Sequence, residues 1–166
     1  RMCGAVRAAT VRAHARMRVQ RQRGRSAGAS ASVADATEPI AFEGVHHVAV
    51  ITADLARSLE FYVNLLGLEV NPERPDEKLP YAGTWLWVGG GQMIHLMELP
   101  NPDPTELASR PEHGGRDRHA CFTVRSVDPI CAVLDRASVP YTRSKSGRAA
   151  IFFRDPDSNT LECVEG

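Results

Sequence analysis

His47-Val48-Ala49-Val50-Ile51 and His119-Ala120-Cys121-Phe122-Thr123-Val124 are two alternating apolar stretches, each opened by a histidine. Each is followed by a helical pattern and then by three short runs of strand character. The last run reads Met93-Ile94-His95-Leu96-Met97-Glu98 in the first half and Thr160-Leu161-Glu162-Cys163-Val164-Glu165 in the second. His95 and Glu162 therefore occupy the same slot. The order β-α-β-β-β occurs twice, which makes the chain an α+β protein of two related modules. His or Glu at all four equivalent slots points to a divalent-metal site between the modules.

Working outward, strand Val45–Thr52 leads to Asp54, an N-cap for the helical pattern that runs to Leu66. Gly67 stops that helix. Three strands follow at Leu68–Asn71, Thr84–Val88 and Met93–Leu99, with Gly89-Gly90-Gly91 as a turn needing positive φ. A polar loop spans Pro100–Asp117. The second module repeats the order from Arg118, with Ser126 or Asp128 as helix cap and Pro129 in the first turn. Its strands lie near Val139–Arg143, Ala149–Arg154 and Thr160–Glu165. Module 1 thus covers about 44–99 and module 2 about 118–166, in one domain over 42–166.

Side chains alternate across a strand, so His47, Ala49 and Ile51 share one face while Val48 and Val50 pack under the helix. His119 stands likewise opposite Ala120, Phe122 and Val124. In the closing strands, His95 opposes Ile94 and Leu96, and Glu162 opposes Leu161 and Cys163. His47, His95, His119 and Glu162 can then face one concavity. Trp85 and Trp87 share that face in module 1, as do Phe152 and Arg154 in module 2. They are candidate substrate contacts, or an aromatic wall. Arg154 is expected to meet an anionic group or to pair with Asp155 or Asp157. His46 points to the other face, and His113 is expected to be solvated in the loop.

The balanced charge of the 166 residues sums two unlike segments. Residues 1–34 hold eight Arg and no acid; the remainder holds twelve Lys and Arg against twenty Asp and Glu, a net charge of −8. An acidic body argues against nucleic acid as its main partner, and no apolar run approaches a membrane span. The Arg-, Ala- and Ser-rich residues 1–40 read as an organelle transit peptide, cleaved on import, plastid before mitochondrion; the competing reading is a basic tail. Cys3, Cys121, Cys131 and Cys163 form no C-x-x-C pair, and the last three sit in apolar patterns as small hydrophobes in a reducing compartment.

Three segments carry a family resemblance: His47-Val-Ala-Val-Ile-Thr-Ala-Asp54-Leu-Ala-Arg-Ser-Leu-Glu-Phe61-Tyr62 through Leu66-Gly67-Leu68, Arg118-His119-Ala-Cys-Phe-Thr-Val124, and Phe153-Arg-Asp155-Pro156-Asp157-Ser-Asn159-Thr-Leu-Glu162. In their order and spacing, the chain resembles the vicinal oxygen chelate superfamily, which includes glyoxalase I, fosfomycin-resistance thiol transferases and extradiol dioxygenases. The resemblance implies a cupped sheet around the metal, with His47, His119 and Glu162 as ligands and His95 where glyoxalase I usually has Glu. Ser158 stands where the family hairpin usually has Gly. It implies a homodimer, a Zn, Ni, Mn or Fe ion, and a small-molecule substrate.

Glyoxalase I chemistry would use Glu162 as the catalytic base on a methylglyoxal-thiol hemithioacetal, with glutathione as co-substrate. Alternatively, His47, His119 and Glu162 form the two-His-one-carboxylate set of a non-haem Fe(II) extradiol-type dioxygenase. A module that kept the fold without catalysis, for binding or assembly, is the third reading.

Overall fold

Strand β1 (His47–Thr52) ends at Thr52, whose hydroxyl accepts from the Asp54 N–H at 3.1 Å and fixes the turn into helix α1 (Leu55–Leu59). The computed structural model describes residues 41–166, so the leader, Cys3 and its surroundings lie outside the described residues. Residues Phe42–Gly166 form one compact unit. As its sequence position requires, Asp54 caps α1 by accepting from Arg57 N–H at 3.0 Å.

The expected single helix to Leu66 changes character midway. Glu60–Leu65 is a π-helix, in which Leu66 N–H reaches back five residues to Phe61 C=O. The wider turn puts consecutive Phe61 and Tyr62 both inside.

The strands that follow are β2 (Glu69–Asn71), β3 (Gly83–Gly89) and β4 (Gln92–Glu98). Module 2 supplies β5 (His119–Val124), α2 (Asp128–Arg136), β6 (Tyr141–Arg143), β7 (Ala150–Arg154) and β8 (Thr160–Glu165). Each module is a four-stranded mixed sheet, ordered β1-β4-β3-β2 and β5-β8-β7-β6. The first and closing strands pair in parallel, and the other neighbours are antiparallel.

Val127, which has no capping side chain, holds the cap position of α2, while Ser126 Oγ accepts from Asp128 N–H at 3.3 Å. The Glu165 carboxylate at the end of β8 also accepts from Val127 N–H at 3.0 Å. Glu98, the matching end of β4, faces Leu55 N–H at 3.5 Å. A carboxylate from the closing strand thus meets a helix start in both modules, where it also complements the helix dipole.

One core joins the helix-bearing faces of both sheets. It holds Tyr62, Leu86, Ile94 and Leu96 from module 1 with Leu134, Ile151, Phe153 and Leu161 from module 2. Burying each aliphatic side chain there is worth about 1.5–3 kcal/mol relative to exposure. The other face of each sheet turns away from this core. The modules are locked by the turn between β7 and β8. Asp157 accepts from the Thr52 hydroxyl at 2.8 Å and Arg57 at 2.8 Å, and Asp155 accepts from the buried Tyr62 hydroxyl at 2.9 Å. Burial, then the adjacent Asp155 carboxylate, pushes the Tyr62 hydroxyl well above the usual phenol range.

Candidate functional site

On the face of module 1 away from the core, the register aligns Ala49, His95 and Trp85 in one row, and His47, Met93 and Trp87 in the next. Three of these four ring-bearing residues stack. His47 lies on His95 with centroids 3.9 Å apart and planes 8° apart, and Trp85 covers the other face of His95 at 4.4 Å. His95 Nε2 is buried with no hydrogen-bond partner. Burial, then the charges of His47, His46 and Arg74, lower its pKa to about 4. At neutral pH the ring is therefore uncharged and its lone pair is available, as a metal ligand requires. His46, expected on the other face, is exposed and meets His47 Nδ1 through its own Nδ1 at 2.9 Å.

On the matching face of module 2, Cys121, Glu162 and Phe152 form one row, and His119, Thr160 and Arg154 the next. His119 Nδ1 lies 2.8 Å from the Asp117 carbonyl, which can only accept. Nδ1 therefore carries the proton. In the neutral ring, Nε2 then presents a lone pair to the Glu162 carboxylate 3.0 Å away. Two acceptors at that distance call for a positive particle between them, a proton or a cation. Glu162 is 4% exposed, and its second oxygen faces Arg148 at 3.4 Å.

These donors fit a divalent ion in kind: imidazoles, a carboxylate, and in His95 a ring nitrogen without a hydrogen-bond partner. They stand as two pairs, His47 with His95 and His119 with Glu162. Among the described residues, no three His, Cys, Asp or Glu side chains gather into one group able to hold an ion. The reason lies in the packing, because the two faces that carry the pairs both turn away from the shared core. The single concavity that alternation allowed is not assembled by the described residues of one chain.

Trp85, Trp87, Phe152 and Arg154 all lie on the expected faces. Arg154, however, is occupied. It donates to Asp117 at 2.7 Å, Ser158 C=O at 2.9 Å, Thr160 at 2.6 Å and Pro111 C=O at 2.8 Å. Its pairing with Asp155 or Asp157 does not form, since both carboxylates serve the module junction. Asp117 also takes Arg110 at 3.0 Å. Arg154 thus anchors the long loop to β7 and β8. His113 is not free in solvent. Its Nδ1 accepts from Gly115 N–H, its Nε2 lies 3.2 Å from Arg143 C=O, and its ring rests on Phe152. Gly114 is needed there, since a Cβ would fall 2.7 Å from Phe152.

A cavity of about 820 Å³ lies under the same loop, lined by Leu107, Arg110, Tyr141, Thr142 and Phe152 among others. It includes none of the four metal candidates. Cys121, on the His119 face by parity, is exposed beside Glu162, whereas Cys131 and Cys163 are buried. Burial first, then Cys121 and Glu162, pushes the Cys163 thiol up to about 12. Sequence reasoning passed over Arg148. The available signal was parity, because two-residue steps from Phe152 lead through Ala150 to position 148.

Comparison with known proteins agrees with this architecture. Residues 44–163 match the family model of the Glyoxalase/Bleomycin resistance protein/Dioxygenase superfamily. The chain is 35% identical over 127 residues to the uncharacterized protein YwkD of Bacillus subtilis, covering 74% of this chain and 97% of that one. It is 31% identical to Glyoxylase I 4 of Arabidopsis thaliana, covering 77% and 74%. A solved structure of the fosfomycin resistance protein FosX of Listeria monocytogenes, complexed with Mn(II) and dihydroxypropylphosphonic acid, superposes with a TM-score of 0.58 at 20% identity, covering 76% and 94%. Doubled βαβββ modules with matched histidine and carboxylate slots, together with a family match across nearly the whole described unit, place this chain in the glyoxalase/bleomycin resistance/dioxygenase superfamily.

Proposed function

We propose that the protein is a divalent-metal-dependent lyase or isomerase of glyoxalase type, and that its site is completed between two copies. His47 and His95 of one copy would join His119 and Glu162 of the other. The observation that carries this reading is the His119 Nε2–Glu162 Oε2 pair at 3.0 Å, a ring nitrogen and a carboxylate close enough to share a cation. Outward-facing half-sites in one chain support completion by a second copy. In this role the ion would hold neighbouring oxygens of the substrate and stabilise the charge that develops on them.

The chain's own groups divide the remaining work. Glu162 takes the proton from the hydroxyl-bearing carbon of a hemithioacetal of methylglyoxal and a thiol such as glutathione. It returns that proton to the adjacent carbon, giving a hydroxy thioester. Asp117 C=O holds the His119 tautomer. Trp85 and Trp87 supply an apolar wall. The acid-free residues 1–34 support import into an organelle, plastid before mitochondrion.

Elemental analysis of untagged protein, with assays of methylglyoxal and glutathione, tests the proposal. Stoichiometric Zn, Ni or Mn with thioester formation is expected. No metal after reconstitution, or no product with any of these ions, would refute it. A second reading draws on the stacking of His95 between Trp85 and His47, which hinders its turning toward an ion. His47, His119 and Glu162 would then hold Fe(II), and oxygen uptake with catechols would replace thioester formation.

A further inference from the structure

The turn between β6 and β7 reads Ser144-Lys145-Ser146-Gly147-Arg148-Ala149, with two cations and no acid. It is built to aim one of them. Ser146 N–H donates to Ser144 Oγ at 3.2 Å, and the two hydroxyls meet at 2.8 Å. Arg148 Nε then donates to Ser146 Oγ at 3.3 Å. Gly147, at φ +85°, permits the backbone to turn back onto the sheet. The guanidinium arrives over the Glu162 face with NH2 3.4 Å from Oε1, while the side chain stays 61% exposed.

The other arginines near this face are committed elsewhere. Arg110 and Arg154 close on Asp117, and Arg118 closes on Asp103. Beyond its Ser146 bond, Arg148 makes only a long contact to Glu162, a carboxylate that already faces His119. In an acidic body this leaves it as the cation available beside Glu162. A guanidinium with a free edge binds a planar carboxylate in a two-pronged fashion.

We infer that Arg148 is a specificity-determining residue that binds a carboxylate of the substrate close to the carbon on which Glu162 acts. This rests on the reading of Glu162 as the working carboxylate. Because Arg148 NH2 and Glu162 Oε1 are only 3.4 Å apart, one small molecule can touch both. At about 1.5 Å per bond, that places the carboxylate roughly two or three bonds from the reacting carbon. Within the lyase or isomerase chemistry proposed above, the preferred substrate is a short acid with neighbouring oxygens, favoured over an uncharged carbonyl compound.

Malate and lactate test this directly. Both present the same 2-hydroxy acid end, but malate adds a second carboxylate where lactate has a methyl group. Binding of each is measured by calorimetry at constant ionic strength, on metal-loaded and on metal-free protein. Wild type should prefer malate about tenfold, the size of one charge-assisted hydrogen bond. Arg148→Gln should abolish the preference and Arg148→Lys should restore part of it, with unchanged melting temperature, since the side chain is exposed. Equal affinity in wild type, a preference that survives Arg148→Gln, or no binding of either acid would overturn the inference. Failure to bind metal while the preference persists would instead refute the metal reading and leave Arg148 in its role.

Discussion

The two modules share an element order and strand register, yet their closing turns do opposite jobs. Between β3 and β4, Gly89, Gly90 and Gly91 all adopt positive φ, and a Cβ at any of them would meet nothing within 4 Å. Between β7 and β8, Asp155 accepts from Tyr62, from the Asn159 side chain, and from the backbone N–H groups of Asp157 and Asn159. One turn closes a hairpin, while the other closes a hairpin and also joins the modules. The outward faces diverge too. Module 1 shows a stack of aromatic rings, and module 2 a carboxylate between a histidine and an arginine. A repeated topology therefore fixes where side chains stand, and the identity of each side chain decides whether that place serves packing, docking or chemistry.

Breaking the junction is the sharpest way to separate the turns. Asp155→Ala leaves the buried Tyr62 hydroxyl and two N–H groups without acceptors, and should cost about 3–5 kcal/mol in urea unfolding. Gly90→Ala at the equivalent turn should cost only about 1–2 kcal/mol, the strain of a left-handed residue. Equal losses would mean that the two turns are alike.

The outward faces can be separated by metal affinity. His119→Ala and Glu162→Gln should each weaken binding by at least the roughly hundredfold that even supporting residues can cost. A similar loss in His95→Ala, read by competition with a chromophoric chelator, would mark four ligands. Unchanged affinity would mark the two-His-one-carboxylate set.

Asp117 offers a pH test of the loop anchor. Burial alone would raise its pKa, but the Arg154 hydrogen bond, the Arg118 N–H and the Arg110 charge overcome this and hold it below the ordinary aspartate range. A depressed carboxylate adds stability above its unfolded-state pKa, and that stability is lost as pH falls through the folded one. Asp117→Asn should therefore be about 2 kcal/mol less stable near neutrality. Its deficit should shrink in acid. A gap that persists on the acid side would show that Asp117 acts through shape and not charge.

The smallest effect is expected at Ser158, which sits at φ +65° in the joining turn. Ser158→Gly relieves the left-handed strain but removes the hydroxyl's bond to Thr105 C=O. These terms nearly cancel, and the melting midpoint should correspond to a change under about 0.5 kcal/mol.

Much of the fold was legible because alternation and helical spacing are local. Asp54 as a cap, the eight strands and the facing of His47, His95, His119 and Glu162 all follow from periodicity. The misreadings have physical causes. The widening of the first helix depends on how Phe61 and Tyr62 fit the core. The start of α2 is capped by Glu165, distant in sequence. Arg154 promised an anion contact, yet Asp117, brought back by the long loop, claims its donors.

By itself, then, the sequence determined two βαβββ modules and the strand face on which each candidate ligand stands, because side-chain direction follows from steps of two along an extended chain. Only the tertiary structure decided how those faces are disposed. The helix-bearing sides meet in one core, since apolar burial there outweighs other arrangements, and the two half-sites are left facing outward. Which arginine is free beside Glu162 was likewise settled in space, where Asp117 and Asp103 claim the others and leave Arg148.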